Sequence, residues 1–446
     1  MKRLYGNLVI LASLYGQRQA PFLPRPRLEA LRDARVRRIV THAARSVPYY
    51  RELFAQRGID PAAIRGAAEL AELPLLERDA VKRDPERFLS DSPRARGSLS
   101  FVTSGSTGSP LEVWHDQRSL LQNIAFGERE RAPLIKLCGG SFRPRELHIG
   151  YATSNLRKVL DFYARSTRLP VKPDRTSVSM TATFEEILAA INTVKPELLT
   201  AYGGFLDAFF RSVEARAAKI HRPRVCQYVG EPLPPGRREW IERELGARVV
   251  SRYCAAEAFK IGYFCEAGTG FHLHDDLCHV RLLTADGREA ASGELGEIVI
   301  SNLVNYATVL LNYPMGDIAR LSPQQCPCGR SQRLLSELEG RVEDMLSRPG
   351  GEPLHPRAIW SVFKEDREVL QYQLIQAALQ RFELKLVTAD KQAFPHARDR
   401  AIAGLRRLLG EEAAIDASWH AQLGKSEREK TGKFRAVESR LTPRRG

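Results

Sequence analysis

The sequence has few cysteines and no long apolar run. Its 446 residues include seven cysteines, an odd number that cannot be fully paired within one chain. This excludes the dense disulfide framework of small secreted proteins. No stretch reaches the roughly 18 consecutive apolar residues that a membrane-spanning helix needs. We therefore expect no transmembrane segment and a reducing, cytoplasmic location.

A leader-like segment near the start is incomplete. Lys2 and Arg3 precede a short apolar run at residues 8–14, but no small-residue cleavage site follows before Gln17 and Arg18. A secretory signal peptide has such a site after its apolar region. The segment therefore supports the prediction of a cytoplasmic protein.

Acidic residues are the minority among the charged ones. The chain has 53 Asp and Glu against 68 Lys and Arg, a formal net charge of +15. Such a surplus favours anionic ligands in general, including polyanions such as ATP and coenzyme A. The sequence has no zinc finger, helix-turn-helix or aromatic-basic signature, so we expect no nucleic-acid partner.

The order of apolar patterns predicts the fold class. Helical periodicity at residues 27–58, 119–138, 184–194 and 205–218 alternates with short strand-like runs such as 146–151, 225–229 and 248–253. This alternation predicts an α/β protein with a mostly parallel sheet flanked by helices. Residues 278–309 are richer in strands, and the pattern restarts after residues 340–344. We therefore predict a second, smaller domain from residue 341 onward.

A loop rich in Ser, Thr and Gly follows the strand-like run that ends at residue 102. Its glycines let the backbone curl around a phosphate, while hydroxyls and N–H groups can donate to the phosphate oxygens. It is not the common P-loop, because no Lys follows the second Gly. The predicted phosphate-binding residues are Thr103, Ser104, Gly105, Ser106, Thr107 and Gly108.

Five further segments follow this loop in order. They are Gly-Glu-Pro-Leu at 230–233, Tyr-Cys-Ala-Ala-Glu at 253–257, Tyr-Pro-Met-Gly-Asp at 313–317, Gly-Arg-Val-Glu-Asp at 340–344 and Gly-Lys-Phe-Arg at 432–435. Together they resemble the ordered motifs of the adenylate-forming (acyl-CoA synthetase) superfamily. Within it they resemble the phenylacetate-CoA ligase branch, including relatives from polysaccharide gene clusters. The resemblance implies a large N-terminal adenylate-forming domain at 1–340 and a small, mobile α+β domain at 341–446.

The resemblance also implies a function and the residues that perform it. The expected activity is adenylation of a carboxylic acid with ATP and Mg²⁺, followed by transfer of the acyl group to coenzyme A. Lys433 and Glu257 are the predicted catalytic residues, and Glu343 with Asp344 forms the predicted hinge. The remaining predicted nucleotide-binding residues are Gly230, Glu231, Pro232, Tyr253, Asp317 and Arg341.

Two alternatives to this function stay open. An adenylating enzyme that passes its acyl group to an amine, a sugar or a carrier-protein thiol would share every motif. A non-catalytic nucleotide-binding component of an assembly would also keep the fold, although binding alone does not require Lys433. The oligomeric state is left open between a monomer and a homodimer.

The acyl pocket is predicted beside the phosphate loop. Tyr202, Gly203 and Gly204 resemble a pocket-lining stretch of the family. Paired glycines leave room for a ring or let the backbone approach a substrate. Aromatic acids are therefore among the expected substrates.

A zinc site is predicted from a second group of residues. Cys326 and Cys328 lie on one tight turn, and Cys265 and His272 lie upstream. Three sulfurs and one imidazole would complete a closed, tetrahedral structural site. His274 and Cys278 are competing ligands, and separate buried cysteines are the alternative without metal.

Overall fold

The computed structural model describes most of the chain. The described residues are 2–103, 111–151, 155–169, 173–336, 338–341, 344–349, 353–354, 356–363, 366, 368–421, 423 and 435–441. They form one large, mostly parallel sheet flanked by helices, together with smaller antiparallel and mixed sheets. The predicted α/β class is confirmed.

Helices dominate the first part of the chain. The pattern at residues 27–58 predicted one helical region, and the structure divides it at Val47, which is extended, with Pro48 beginning the next helix. Proline suits that first position because its missing N–H would have no partner there. The helices of this region are α1 (Lys2–Leu14), α2 (Arg25–Ser46), α3 (Pro48–Arg57), α4 (Ala67–Ala71) and α5 (Arg78–Arg83).

A hairpin of two antiparallel strands follows these helices. The strands are β1 (Leu99–Val102) and β2 (Glu112–His115). Thr103 donates its backbone N–H to the Leu111 carbonyl at 2.8 Å, which extends the pairing towards the loop. The Ser/Thr/Gly loop therefore joins two paired strands.

An eight-stranded sheet forms the centre of the molecule. Its strands are β3 (Arg145–Gly150), β4 (Asp174–Ser179), β5 (Leu198–Tyr202), β6 (Val225–Val229), β7 (Arg248–Tyr253), β8 (Gly262–Phe264), β9 (Phe271–Leu273) and β13 (Leu334–Leu335). Their order is β13-β9-β8-β7-β6-β5-β3-β4. The five strands from β7 to β4 are parallel, and the other three are antiparallel.

Helices cover both faces of this sheet. The stretch 119–138 was predicted as one helix, but Gly127 separates two. On one face lies α7 (Glu128–Leu137), which packs on the strand residues Leu198, Val225 and Val250. Next to it, α6 (Gln117–Phe126) and α8 (Asn155–Ser166) pack with α1. On the other face lie α9 (Phe184–Val194), α10 (Gly203–Ala215) and α11 (Pro235–Trp240), packed on apolar strand residues such as Leu147, Leu199 and Val249.

The leader-like segment forms α1, which packs against α6 and α8. Ile10 is buried in that contact, whereas Leu4, Leu8 and Leu11 are exposed. Among the described residues, no helix combines the length and the apolar character needed to cross a bilayer.

An antiparallel sheet confirms the strand-rich stretch after residue 278. Its strands are β10 (Cys278–Leu283), β11 (Leu295–Asn302), β12 (Tyr313–Arg320) and β14 (Gly340–Arg341), in that spatial order. The register of β12 and β14 sets Asp317 opposite Arg341. Two of the sequence motifs are therefore neighbours.

The remaining described residues build around a hydrophobic core of their own, which includes Leu374, Leu384 and Leu405. The elements are β15 (Leu346–Ser347), β16 (Pro353–Leu354), α12 (Pro356–Phe363), β17 (Val369–Ala378), β18 (Arg381–Thr388), α13 (Phe394–Leu409), β19 (Ala414–Trp419) and β20 (Val437–Ser439). Arg211 Nη1 of α10 donates to the Val369 carbonyl at 3.1 Å and links this unit to the main sheet layer. The division into domains 1–340 and 341–446 stays a prediction.

Candidate active site

A cavity of about 750 Å³ opens at the carboxyl ends of the parallel strands. Tyr151, Tyr202, Gly230 and Cys254 line it, and each directly follows or ends one of the strands β3, β5, β6 and β7. Ligands of open α/β sheets bind at this edge, because the loops that leave the strands can shape a site there. The C-terminal unit closes one side through residues such as Trp360.

Three predicted nucleotide-binding residues meet in this cavity. The Tyr253 hydroxyl donates to Asp317 Oδ2 at 2.6 Å, and Arg341 Nε lies 3.1 Å from Asp317 Oδ1. Burial raises the pKa of Tyr253 well above its ordinary value, and the neighbouring Asp317 charge adds to the rise. Tyr253 therefore remains a protonated donor, and the Asp317 carboxylate is fixed in orientation.

Glu257 lies close to this group. Its side chain lines the cavity, although the residue is only 8% exposed. Burial raises the pKa of its carboxyl, while the positive charges of Arg78 and Arg341 act in the opposite direction. Asn302 Nδ2 donates to the Glu257 carbonyl at 2.9 Å and holds the backbone in place.

Two basic residues at this end were not predicted. Arg78 and Lys82 of α5 both line the cavity. Arg78 reaches it beside Gly316, where a Cβ atom would lie 2.5 Å from Arg78 Nη1 and where φ is +79°. The positive φ therefore requires glycine at this position, which lies at a register irregularity in the pairing of β11 and β12, whereas the flexible end of Arg78 could move aside.

The Gly-Glu-Pro-Leu segment packs directly on the start of α10. Glu231 Oε2 accepts from the Gly204 backbone N–H at 3.2 Å. A Cβ on Gly203 would lie 2.4 Å from the carbonyl oxygens of Glu231 and Pro232. Gly204 lines the cavity. The space that a side chain would need at Gly203 is instead filled by the backbone of Glu231 and Pro232.

The phosphate loop is described only at its edges. Thr103 lines the cavity, and its Oγ1 accepts from the Leu111 backbone N–H at 3.0 Å. The predicted residues Ser104, Gly105, Ser106, Thr107 and Gly108 lie outside the described residues. Nearby His115 is buried, packs its ring against Phe259 at a tilt of 31° and contacts the Ala256 carbonyl through Nε2 at 2.7 Å.

The C-terminal motif reaches the same cavity through its described end. Lys433 and Glu343 lie outside the described residues. Asp344 and Arg435 line the cavity and form an ion pair with each other. The predicted hinge residue Asp344 is thus paired with Arg435, which lies two residues before β20.

The four predicted zinc ligands come together beside the connection from β8 to β9, near the edge strand β13. The ligand atoms of Cys265, His272, Cys326 and Cys328 all lie within 4.8 Å of one another. Cys265 Sγ is 3.5 Å from Cys326 Sγ, and Cys328 Sγ is 3.4 Å from His272 Nε2. A tetrahedral zinc with Zn–S bonds near 2.3 Å separates its sulfurs by about 3.8 Å, so these side chains fit the ion.

The protonation of His272 and Cys326 suits a metal ligand set, whereas burial raises the pKa of the Cys265 thiol to about 12 in the metal-free protein. Burial, with the charge of Arg330 acting in the same direction, lowers the pKa of His272 to about 4, so the ring is neutral at pH 7. Burial raises the pKa of Cys326, but its hydrogen bond with Thr269 and neighbouring groups bring it below its ordinary value. The competing residue His274 instead bonds to Glu130, with 3.1 Å between Nε2 and Oε1.

Sequence comparison identifies similar proteins across most of the chain. No protein-family model matches the sequence. Phenylacetate-coenzyme A ligase of Thermus thermophilus is 25% identical over 379 residues, which cover 82% of this chain and 83% of that protein. Phenylacetate-coenzyme A ligase of Aromatoleum evansii is 25% identical over 72% of this chain and 71% of its own length.

Comparison with solved structures identifies the same fold. The structure of 2-hydroxyisobutyryl-CoA ligase in the postadenylation state, in complex with R3-HIB-AMP, has a TM-score of 0.73. It is 17% identical and covers 94% of this chain and 91% of its own. The predicted resemblance to adenylate-forming ligases and to their phenylacetate-CoA ligase branch is confirmed.

Proposed function

From this similarity to phenylacetate-CoA ligases, we propose that the protein is an AMP-forming ligase that adenylates a carboxylic acid with ATP and transfers the acyl group to coenzyme A. The observation that carries the proposal is the convergence of Tyr253, Glu257, Asp317 and Arg341 on one cavity. These residues come from three separate motifs, and nothing in their spacing requires them to meet. A cytoplasmic enzyme would find both ATP and coenzyme A in its compartment.

The nucleotide is proposed to lie between the main sheet and the antiparallel sheet. Asp317 would accept hydrogen bonds from the ribose hydroxyls, since each carboxylate oxygen keeps acceptor capacity after bonding to Tyr253 and Arg341. The Tyr253 ring would face adenine, with the backbone of Gly230, Glu231 and Pro232 lining the other side. Thr103 and the loop that follows it would contact the phosphates.

Mg²⁺ is proposed to be held by Glu257. The carboxylate lines the cavity and is largely buried, so a cation there would compensate a charge that burial disfavours. Carboxylate oxygens are preferred ligands of Mg²⁺. When bound with ATP, the ion neutralises charge on the phosphates.

Lys433 is proposed as the catalytic cation. In adenylation, an oxygen of the acid forms a bond to the α-phosphorus while the bond to the bridging oxygen of pyrophosphate breaks. Negative charge increases on the phosphate oxygens, and an ammonium group stabilises it. A domain 341–446 would then rotate about Glu343 and Asp344, as hinge residues at the ends of elements allow. The rotation would remove Lys433 from the active site and bring in another surface of the domain for thioester formation.

A structural zinc ion is proposed at Cys265, His272, Cys326 and Cys328. These residues join the β8–β9 region to the turn that contains Cys326 and Cys328, which lies far along the chain. Four protein ligands would close the coordination sphere, so the ion would stabilise the fold and would not contact substrate.

The proposal is tested by acid-dependent pyrophosphate release. The purified protein is incubated with ATP, Mg²⁺ and a panel of carboxylic acids, without coenzyme A. We expect release with at least one acid, and acyl-CoA together with AMP once coenzyme A is added. Amines, sugars and carrier proteins tested in place of coenzyme A separate the proposed acceptor from the alternatives. Protein that binds ATP but releases no pyrophosphate with any acid would contradict the proposal.

A further inference from the structure

Part of one face of the main sheet is polar where a buried parallel sheet is ordinarily apolar, although Leu198, Val225 and Val250 on the same face are buried apolar residues. His148 of β3, Thr200 of β5 and Gln227 of β6 are register neighbours and share that face. The opposite face presents apolar side chains such as Leu147 and Leu199 to α9 and α10. Burial of polar groups costs free energy unless they have partners, so the polar face requires an explanation.

Charged side chains extend this face into a polar cluster. Arg175 Nε donates to Glu146 Oε2 at 2.9 Å, and Thr200 Oγ1 donates to Glu146 Oε1 at 3.0 Å. Lys260 Nζ donates to Glu130 Oε2 at 2.8 Å, and Arg252 Nη1 lies 3.7 Å from the same oxygen. The cluster consists of Glu130, Glu146, His148, Arg175, Arg252 and Lys260.

The polar cluster holds more positive than negative charge. Three cations accompany two carboxylates among its described members. Burial, together with the charges of Arg175 and Arg252 and against that of Glu146, lowers the pKa of His148 to about 4. His148 is therefore neutral at pH 7 and adds no charge. Lys260 and Arg252 share the Glu130 carboxylate, so the described members of the cluster carry a net charge of +1.

Several polar atoms of the cluster also lack hydrogen bonds. His148 Nδ1, Arg175 Nη1 and Arg252 Nε are buried without a hydrogen-bond partner within the described part of the chain. Such atoms are rare because each costs desolvation free energy. His148, Arg175 and Arg252 nevertheless line the active-site cavity, as Tyr202 and Gly204 do. The unpartnered atoms themselves are buried, but 30% of the Arg252 side chain and 13% of the Arg175 side chain are exposed, so a ligand in the cavity can reach both side chains.

We propose, on the basis of the proposed ligase function, that the acid substrate carries a second anionic group at the end away from the activated carboxyl. A dicarboxylic acid is the simplest such compound. Its distal carboxylate would accept hydrogen bonds from Arg175 and Arg252 and balance the charge of the cluster. The unsubstituted ring of an aromatic monoacid would leave these donors desolvated and unpaired.

Matched pairs of acids test the proposal. Adipate is compared with hexanoate, and 1,4-phenylenediacetate with phenylacetate, by pyrophosphate release in the presence of ATP and Mg²⁺. We expect kcat/KM for each diacid to exceed that of its monoacid by at least about tenfold, as one charge-assisted hydrogen bond provides. Equal or better use of the monoacids would overturn the second-anion site and leave the ligase function intact.

A variant locates the preference in the polar cluster. Arg175→Met removes the donor, and we expect the diacid-to-monoacid ratio to fall about tenfold, mainly through a higher KM for the diacid. The ratio does not depend on how much of the variant folds. If Arg175→Met folds too poorly, Arg175→Met with Glu146→Gln avoids the unpaired carboxylate. An unchanged ratio in the folded variant would overturn the assignment.

A binding measurement tests the second-anion site independently of the ligase activity. If no acid releases pyrophosphate, the ligase proposal fails. Thermal stabilisation by adipate that exceeds that by hexanoate, and that is lost in Arg175→Met, would still support the second-anion site. Equal stabilisation by both acids would overturn it.

Discussion

Arg341 and Asp317 face each other across β14 and β12, with 3.1 Å between Arg341 Nε and Asp317 Oδ1. The second carboxylate oxygen accepts from the Tyr253 hydroxyl at 2.6 Å. Each oxygen has about two acceptor sites, so one site on each remains for a ligand hydroxyl. The pair thus positions a carboxylate that can accept from two adjacent ribose hydroxyls.

Asp317→Asn should weaken ATP binding, because the amide has one acceptor oxygen and carries no charge. We expect the KM for ATP to rise about tenfold or more, because the variant loses one charged hydrogen bond to the nucleotide. Titration of ATP in the pyrophosphate assay measures this change. Asp286→Asn, at an exposed aspartate, is the control. An unchanged KM in Asp317→Asn would show that ATP does not use this carboxylate.

His115 makes stability depend on pH. Burial lowers its pKa to about 4, although the Ala256 carbonyl acts in the opposite direction. The unfolded chain binds this proton near pH 6.5, so between pH 6.5 and 4 the unfolded state holds more protons and the free energy of unfolding falls as pH falls. The expected contribution is about 3 kcal/mol, fully lost near pH 4.

Urea unfolding of wild type and His115→Gln across this pH range measures the effect. The variant should be less stable at neutral pH and should show a flatter pH dependence. His396→Gln changes an exposed histidine and is the matched control. Parallel pH curves for wild type and His115→Gln would contradict the prediction.

Regular patterns and ordered motifs were predictable from the sequence. The helix α9 was predicted with its observed bounds, because its apolar spacing coincides with a capping box of Thr183 and Glu186. Strand β4 was not predicted, since its sequence Asp-Arg-Thr-Ser-Val-Ser has almost no apolar residues and pairs only at the sheet edge. Local apolar periodicity does not detect a strand held mainly by its backbone hydrogen bonds.

The charged residues of the cavity were the least predictable part of the site. Asp317 and Arg341 were identified because they belong to motifs. Arg78 and Arg175 line the same cavity, but in the sequence they are two of 68 basic residues with no local signal. Only the strand order and the packing of helices on the sheet decide which of them face inward.

Zinc content should depend on the four-ligand group. Protein purified without added metal should contain about one equivalent of zinc, and Cys326→Ser should contain less than about a tenth. The variant should also have a lower Tm, because the ion links segments that are distant in sequence. Cys138→Ala, at a buried cysteine outside the group, should keep the metal. Elemental analysis measures the zinc content of the three proteins. Wild-type protein without zinc would contradict the proposed zinc site.

Gly203→Ala should destabilise the site, since the new Cβ would lie 2.4 Å from two carbonyl oxygens. Overpacking of this kind costs about 1–3 kcal/mol. The shift should also displace Glu231 and Pro232, so the KM for ATP should rise in the fraction that stays folded. Thermal unfolding and ATP titration measure the two effects. A variant with wild-type Tm and KM would mean that the segment can move without consequence.

Lys433→Ala should slow adenylation far more than it weakens substrate binding. The ammonium stabilises charge that appears mainly in the transition state, and removal of one such group typically lowers kcat by about 10²–10³-fold. The KM values for ATP and acid should change little, because the ground state makes less use of the charge. Lys425→Ala changes a lysine of the same basic stretch and is the matched control. If both variants release pyrophosphate at the wild-type rate, the catalytic cation is another residue, and Arg78 and Lys82 become the candidates because both line the cavity.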